Sequence, residues 1–84
     1  MRREYLAWLT AFAAVAEKKS FTAAAAQLGI SSSAVSHAVR DLEARLGLRL
    51  LNRSTRSVNL TEAGERYFAR VMPALRELMQ AADG

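Results

Sequence analysis

The first apolar positions of the chain repeat with the period of an α-helix. These positions are Tyr5, Trp8, Leu9, Phe12, Val15 and Ala16. Spacings of three and four residues place them on one face of an amphipathic helix. The sequence therefore predicts a first helix from about Arg3 to Lys18.

The same segment has a competing interpretation as a secretory signal peptide. Arg2 and Arg3 precede an apolar run over residues 6–16, which closes with alanines at 14 and 16 as a cleavage site does. Glu4 and the helical spacing favour the amphipathic helix instead. No apolar run approaches the roughly 18 residues that a membrane span needs.

Two further helices are predicted, and each ends at a glycine. Thr22 is predicted to be the N-cap of the second helix, with Phe21 packing onto its first turn, and the alanine run continues to Leu28. The third helix is predicted to begin within residues 31–33 and to continue to about Leu46. Gly29 and Gly47 follow the two helices and suit the left-handed C-cap conformation.

The short turn between these helices is typical of a helix-turn-helix. Val35, Val39, Leu42 and Leu46 form the apolar face of the third helix. In a helix-turn-helix the second of the two helices is offered to a DNA groove. We therefore expect the third helix, over about residues 32–46, to be a recognition helix.

After Gly47 the apolar period changes from helical to alternating. Leu48, Leu50, Val58 and Leu60 alternate with polar residues, and residues 53–57 between them are polar and basic. The pattern predicts a two-stranded hairpin, or wing. The predicted fold is mainly α: a winged helix-turn-helix with a three-helix core, a two-stranded wing and a long C-terminal linker helix.

The linker helix is predicted from the N-cap Thr61 to about Ala82, with Glu62 and Glu65 favourably placed in its first turn. Its apolar stripe has coiled-coil spacing. The stripe consists of Phe68, Val71, Leu75, Leu78 and Ala82. Because about 20 residues extend some 30 Å, we expect so small a domain not to cover the stripe fully, and we expect the stripe to pair with its copy in a homodimer. Pro73 is expected to kink the helix.

Composition and charge limit the partners. The chain has 84 residues, 51% of them hydrophobic, which is enough for one small core. It has no cysteine and one histidine, so neither a disulfide framework nor a cysteine or multi-histidine metal site is expected. The net charge of +4 favours an anionic partner, either nucleic acid or a lipid surface.

The distribution of charge is more informative than its sum. Residues 20–39 contain no Asp, Glu, Lys or Arg, and residues 44–61 contain four arginines and no acid. The exposed side of the third helix is expected to present Ser32, Ser33, Ser36, His37 and Arg40. Serine and histidine can hydrogen-bond to base edges.

Each of these features also has a purely structural interpretation. The third helix would pack in a bundle, with its serines as caps and His37 on the surface. Arg53 and Arg56, placed at the wing tip, would simply be solvated. Their position beside a candidate recognition helix favours contact with phosphates or the minor groove. Asp41 and Glu43 are interpreted as surface ions paired with Arg40 or Arg45.

The residues in order resemble the N-terminal winged helix-turn-helix of LysR-type transcriptional regulators. The matching positions are Phe12, Val15-Ala16-Glu17, Ser20-Phe21-Thr22, Ala24-Ala25, Leu28, Ser31, Ala34-Val35-Ser36, Val39, Leu42-Glu43, Leu46-Gly47, Leu50, Arg53, Arg56, Leu60-Thr61 and Ala63-Gly64. The resemblance covers about residues 5–79. The family often has Gln followed by Pro where this chain has Ser32 and Ser33, and often has Phe where this chain has Leu51. Because serine side chains are shorter, they favour water-mediated or backbone contact with DNA.

The resemblance implies sequence-specific binding of double-stranded operator DNA by a homodimer on an inverted repeat. The candidate DNA-contacting residues are Thr22, Ser31, Ser32, Ser33, Ser36, His37, Arg40, Arg53, Thr55 and Arg56, and the candidate dimerisation residues are the apolar stripe of the linker helix. Residues 1–60 are expected to be the DNA-binding domain and residues 61–84 the linker helix.

Family members normally continue into an effector-binding domain that takes a small inducer. We therefore expect the chain to be a fragment that binds DNA without sensing a ligand. No cofactor is expected, and the resemblance implies a cytoplasmic, nucleoid-associated location. A protein-interaction module is the alternative function. An enzyme has no support, because the sequence contains no phosphate loop and no ligand cluster.

Overall fold

The computed structural model describes residues 3–53 and 57–83, and within them it has four helices and one antiparallel sheet. The elements are α1 Arg3–Lys18, α2 Phe21–Leu28, α3 Ser32–Leu46, β1 Leu51–Arg53, β2 Val58–Leu60 and α4 Glu62–Asp83. The prediction of a mainly α fold with a two-stranded wing is confirmed.

The core is centred on α1, which packs against α2, α3 and α4. Phe12 and Val15 of α1 and Val35, Val39 and Leu42 of α3 are fully buried. Their spacing of three and four residues puts each set on one helix face, as the sequence predicted. Burial of α3 along this face leaves its opposite side free for other contacts.

Both predicted glycine C-caps are confirmed. Gly29 and Gly47 have φ values of 71° and 68°, in the left-handed region. The N–H of Gly29 donates to the Ala25 carbonyl, and the N–H of Gly47 donates to the Glu43 carbonyl, both at 2.8 Å. The turn between α2 and α3 is therefore only residues 29–31, which fixes the helix-turn-helix.

The predicted N-cap of α2 is wrong. Ser20 is the cap: it has extended backbone angles, and its Oγ accepts from the N–H of Ala23 at 3.1 Å. Lys19 directly follows α1 with a φ of 54°, so the chain turns at once and Ser20 is the residue immediately before α2. Thr22 instead lies exposed in the first turn of α2.

The wing lies within the segment that the alternation predicts, but its first strand begins later than Leu48. Leu50 and Leu51 are both buried, whereas Leu48 is 48% exposed. The sheet begins only at Leu51, which pairs with Leu60. Apolar positions therefore do not alternate between buried and exposed from Leu48 onward. The chain between α3 and β1 is held by the side chain of Glu43 in α3 rather than by strand pairing.

Thr61 is the N-cap of α4, as predicted, and it also connects α4 to the chain that leads into the wing. Its Oγ1 accepts from the N–H of Gly64 at 2.9 Å and donates to the Arg49 carbonyl at 2.6 Å. Its N–H donates to the Leu50 carbonyl at 2.9 Å. Pro73 is accommodated inside a single helix that continues to Asp83.

The apolar stripe of α4 is covered within the chain over its first part and exposed over its last part, as expected for a helix too long for its domain. Phe68 contacts Phe12 of α1 edge to face, with ring centroids 6.2 Å apart. Leu75 is only 6% exposed and packs with Ala13 and Met72. Val71 packs against the same core. Only the last part of the stripe, at Leu78 and Ala82, remains exposed.

A tyrosine pair adds a polar contact between α1 and α4. The hydroxyl oxygens of Tyr5 and Tyr67 are 2.6 Å apart. Burial raises the pKa of Tyr67, and the hydrogen bond with Tyr5 raises it further. The α1–α4 contact is thus held by aromatic packing and a neutral hydrogen bond.

Replacing Gly64 with alanine is expected to destabilise the protein by about 2–3 kcal/mol. A Cβ at this position would overlap the carbonyl oxygen of Leu50 and lie 2.9 Å from its carbonyl carbon. Helix propensity alone would make the alanine variant more stable by about 1 kcal/mol. A loss of stability would therefore show that the overlap with Leu50 outweighs helix propensity. Thermal unfolding measures the change, expected as a fall of about 10 °C or more.

Ala69→Gly is the matched control, because Ala69 is exposed on the same helix. It is expected to cost only about 1 kcal/mol, the propensity difference. A Gly64→Ala variant more stable than the parent would contradict the close approach of α4 to Leu50.

Candidate nucleic-acid interface

The exposed face of α3 presents short polar side chains. Ser31 caps the helix, and its Oγ accepts from the N–H of Ala34 at 3.0 Å. Ser32, Ser33, His37 and Arg40 are exposed, and Ser36 is half-buried. The structure thus brings together on one surface the candidate residues that sequence analysis assigned to this helix.

The first two turns of α3 carry no Asp, Glu, Lys or Arg, and exposed Arg40 and Asp41 follow them. The first turn of α3 has no acidic residue, so its N–H groups and the positive end of the helix dipole face solvent without a competing carboxylate. Arg40, Arg45 and Arg49 are exposed further along. Such a surface suits phosphate and base-edge acceptors.

Arg53 does not lie at the wing tip, as the sequence suggested, but folds back against α2 and α3. Its Nη1 donates to the Oγ of Ser36 at 3.1 Å. Its Nη2 lies 3.7 Å from Oε1 of Glu43, and its Cζ lies 4.8 Å from the centre of the Phe21 ring. Arg53 therefore joins β1 to both helices of the helix-turn-helix.

The surroundings of Arg53 shift the pKa of its guanidinium in opposite directions. Burial lowers the pKa of the guanidinium, and the charges of Arg40 and Arg49 lower it too, while the carboxylate of Glu43 raises it. Arginine remains protonated in proteins in spite of such shifts. The cation is thus largely committed to contacts within the domain.

Glu43 is a residue whose role sequence reasoning missed. Its Oε2 accepts from the N–H of Leu50 at 2.8 Å and from that of Leu51 at 3.3 Å. Its interpretation as a surface ion paired with Arg40 or Arg45 is wrong, because its charged partner is Arg53. Glu43 holds the chain that leads from α3 into the wing.

Little in the sequence could have revealed this cluster. Glu43 and its partners are separated by the turn at Gly47, and no fixed spacing relates a helix residue to backbone N–H groups beyond such a turn. The one signal is that Glu43 is the last acid before the arginine-rich segment.

The remaining candidates are only partly placed. Thr22 is exposed at the start of α2. Thr55 and Arg56 lie outside the described residues. Across residues 3–53 and 57–83, no helix is long and apolar enough to cross a membrane, and no three His, Cys, Asp or Glu residues are grouped as a metal site.

A family model and curated relatives match the chain. The model described as bacterial regulatory helix-turn-helix protein, lysR family, matches residues 6–65. The chain is 53% identical over 81 residues to the HTH-type transcriptional regulator PgrR of Escherichia coli K12, covering 96% of the chain and 27% of that protein. It is 49% identical over 73 residues to the regulator CrgA of Neisseria meningitidis serogroup B, covering 87% of the chain and 24% of that protein. The chain thus spans about a quarter of the length of these relatives.

Solved structures share the fold. A crystal structure of the BenM DNA-binding domain with catB site 1 DNA superimposes with a TM-score of 0.85 at 35% identity, covering 93% of this chain and 87% of that one. A complex of the CbnR DNA-binding domain with DNA gives a TM-score of 0.82 at 35% identity, covering 92% and 88%. Both neighbours superimpose over nearly the whole chain.

Proposed function

Since the chain belongs to the LysR family of bacterial helix-turn-helix regulators, we propose that it reads double-stranded DNA by placing α3 in the major groove. The proposal rests above all on the exposed polar face of α3, which carries Ser32, Ser33 and His37 above a buried apolar face. A helix of this kind fits the major groove and can hydrogen-bond to base edges. The similar BenM and CbnR domains are crystallised with DNA, which supports the same partner here.

The surrounding arginines are proposed to supply the sequence-independent part of the affinity. Arg40, Arg45 and Arg49 are exposed along and beyond α3. Each phosphate that they neutralise releases counterions, so binding should weaken steeply with salt. Thr55 and Arg56 are proposed to lie beside the groove on the wing.

A homodimer through α4 is proposed to present two α3 helices to an inverted repeat. Leu78 and Met79 are 52% and 58% exposed, and they line a groove of about 420 Å³ together with Leu6 and Ala82. Exposed apolar side chains clustered in this way favour burial against a second protein surface. The proposed interface is therefore narrower than the stripe predicted from sequence, because Phe68, Val71 and Leu75 already pack within the chain.

In a regulator as long as the relatives, we propose that residues 1–60 read DNA and residues 61–84 link them to an effector-binding region. The hydrogen bonds of Thr61 with the carbonyl groups of Arg49 and Leu50 support a fixed orientation of α4 relative to the DNA-reading part. Transcription regulation by a small inducer would then act through α4.

Selection of bound duplexes from a random pool tests the proposed function. The selected duplex is expected to contain an inverted repeat and to compete at least about 1,000-fold better than random duplex at fixed salt. The affinity for both duplexes should fall as salt rises. Equal competition by selected and random duplex would remove the claim of sequence-specific reading.

A further inference from the structure

We propose that Arg53 fixes the hydrogen-bonding polarity of Ser36, so that Ser36 reads a hydrogen-bond acceptor on a base edge. The inference rests on the proposed function, because it requires α3 to face the major groove. It assigns to Arg53 a positioning role within the domain rather than a contact with DNA.

The first step is the direction of the hydrogen bond between the two side chains. The Nη1 of Arg53 lies 3.1 Å from the Oγ of Ser36. A guanidinium has five N–H donors and no acceptor, so the serine oxygen must be the acceptor in this pair. One lone pair of Ser36 is therefore engaged from inside the domain.

The second step is the rigidity of the arginine. Its guanidinium lies over the Phe21 ring at 4.8 Å and beside the carboxylate of Glu43 at 3.7 Å. Glu43 is itself held by the N–H groups of Leu50 and Leu51. Arg53 is thus held on two further sides, so it keeps donating to Ser36 rather than turning toward solvent.

The third step is the hydrogen-bonding capacity that the Ser36 hydroxyl retains for a ligand. A free serine hydroxyl rotates and either donates or accepts. In the part of the chain that the structure describes, the Ser36 hydroxyl has Arg53 as its hydrogen-bond partner, and Ser36 stays half-exposed. With its oxygen facing a cation, the hydroxyl directs its hydrogen outward. One lone pair remains, but a group that approaches along the outward O–H direction meets the hydrogen, so Ser36 acts there as a donor.

A donor at this position discriminates between the two orientations of a G·C pair. In the major groove guanine presents only acceptors, N7 and O6, whereas cytosine presents a donor, its N4 amino group. At the half-site position read by Ser36, G is expected to be preferred over C by about fivefold to tenfold, the effect of one net hydrogen bond.

The test is a double-mutant cycle on the duplex that the unmodified protein selects from a random pool. Affinity is measured at fixed salt for duplexes carrying each of the four base pairs at every half-site position. Ser36→Ala is expected to abolish the preference for G over C at one position and to leave the other positions within about twofold.

Arg53→Met removes the donor and keeps a side chain of similar length over Phe21. It is expected to reduce the same G over C ratio to about twofold or less, because the freed hydroxyl can then accept from cytosine. In the Ser36→Ala background it should change that ratio no further. The slope of affinity against salt should be unchanged, since in the proposed role Arg53 contacts Ser36 rather than a phosphate.

Three results would overturn the inference. One is an unchanged G over C ratio in Arg53→Met, and another is a Ser36→Ala variant with wild-type discrimination at every position. The third is a uniform loss of affinity in Arg53→Met, with the salt slope reduced by about one, which indicates a direct phosphate contact. Because Ser36→Ala retains a good helix former, it tests the donor even if Arg53→Met unfolds. A parent protein without any base preference would instead contradict the proposed function.

Discussion

Replacing His37 with glutamate is expected to abolish duplex binding and leave the fold intact. His37 is exposed on the middle of α3, so the substitution removes no buried contact. With α3 in the major groove, the new carboxylate would be forced among phosphates and base acceptors. Juxtaposed like charges cost several kcal/mol at an interface, so the affinity should fall at least about 100-fold in a fluorescence anisotropy titration.

His37 is a sharper probe than its neighbour Ser36. An aspartate at position 36 would lie beside the guanidinium of Arg53, which is 3.1 Å from the serine oxygen. The cation would neutralise part of the added charge. A small effect of Ser36→Asp could therefore mean either that α3 does not face DNA or that Arg53 neutralises the new charge. A small effect of His37→Glu would mean only that α3 does not face DNA.

Gln80→Glu is the matched control for charge. Gln80 is exposed on α4, and the substitution changes the net charge by the same amount. Its effect on affinity should stay within about twofold, because a distant exposed charge is screened by salt. Circular dichroism and thermal unfolding confirm that both variants fold. Wild-type affinity of a folded His37→Glu variant would show that α3 faces away from the duplex.

The sequence was sufficient where structure is determined locally. The bounds of α1 and α3 and the C-caps at Gly29 and Gly47 follow from residues within one or two turns of each other. Periodicity and capping chemistry act over that range. The one local error was the choice of Thr22 instead of Ser20 as the N-cap of α2. Both residues carry a hydroxyl group that can cap a helix. Because the chain turns sharply at Lys19, α2 begins early enough for Ser20 to be the cap.

The sequence was insufficient where contacts cross between elements. Glu43 meets Leu50 and Arg53 only after the chain has turned at Gly47. Arg53 consequently lies against α3, although its position in a basic segment suggested a free cation. The cover of Leu75 by α1 likewise depends on how α4 returns to the core.

These non-local contacts change how the candidate site works. An arginine held by Phe21, Ser36 and Glu43 contributes little free charge for phosphate binding, but it couples the wing to α3. The clamp from Glu43 to the backbone of Leu50 fixes where β1 begins. The position of β1 relative to α3 is therefore fixed in the free domain, which reduces the ordering cost of the proposed DNA binding.

Replacing Leu78 with aspartate is expected to convert the proposed dimer to a monomer without unfolding the chain. Leu78 is 52% exposed, so its loss leaves the intramolecular core in place. Leu75 is unsuitable for this test, because it is 6% exposed and a carboxylate there would be buried against α1. In a two-fold symmetric dimer each substitution acts twice.

The dissociation constant of the Leu78→Asp dimer should rise at least about 100-fold, since burial of one leucine side chain stabilises by about 2 kcal/mol. Sedimentation velocity over a concentration series measures the shift, and affinity for the selected inverted repeat should fall toward that for a single half-site. Gln80→Asp, two residues further on the same helix and on its opposite side, is the control and should remain dimeric. If Leu78→Asp sediments as the parent dimer does, the two chains must meet on a surface other than the exposed end of α4.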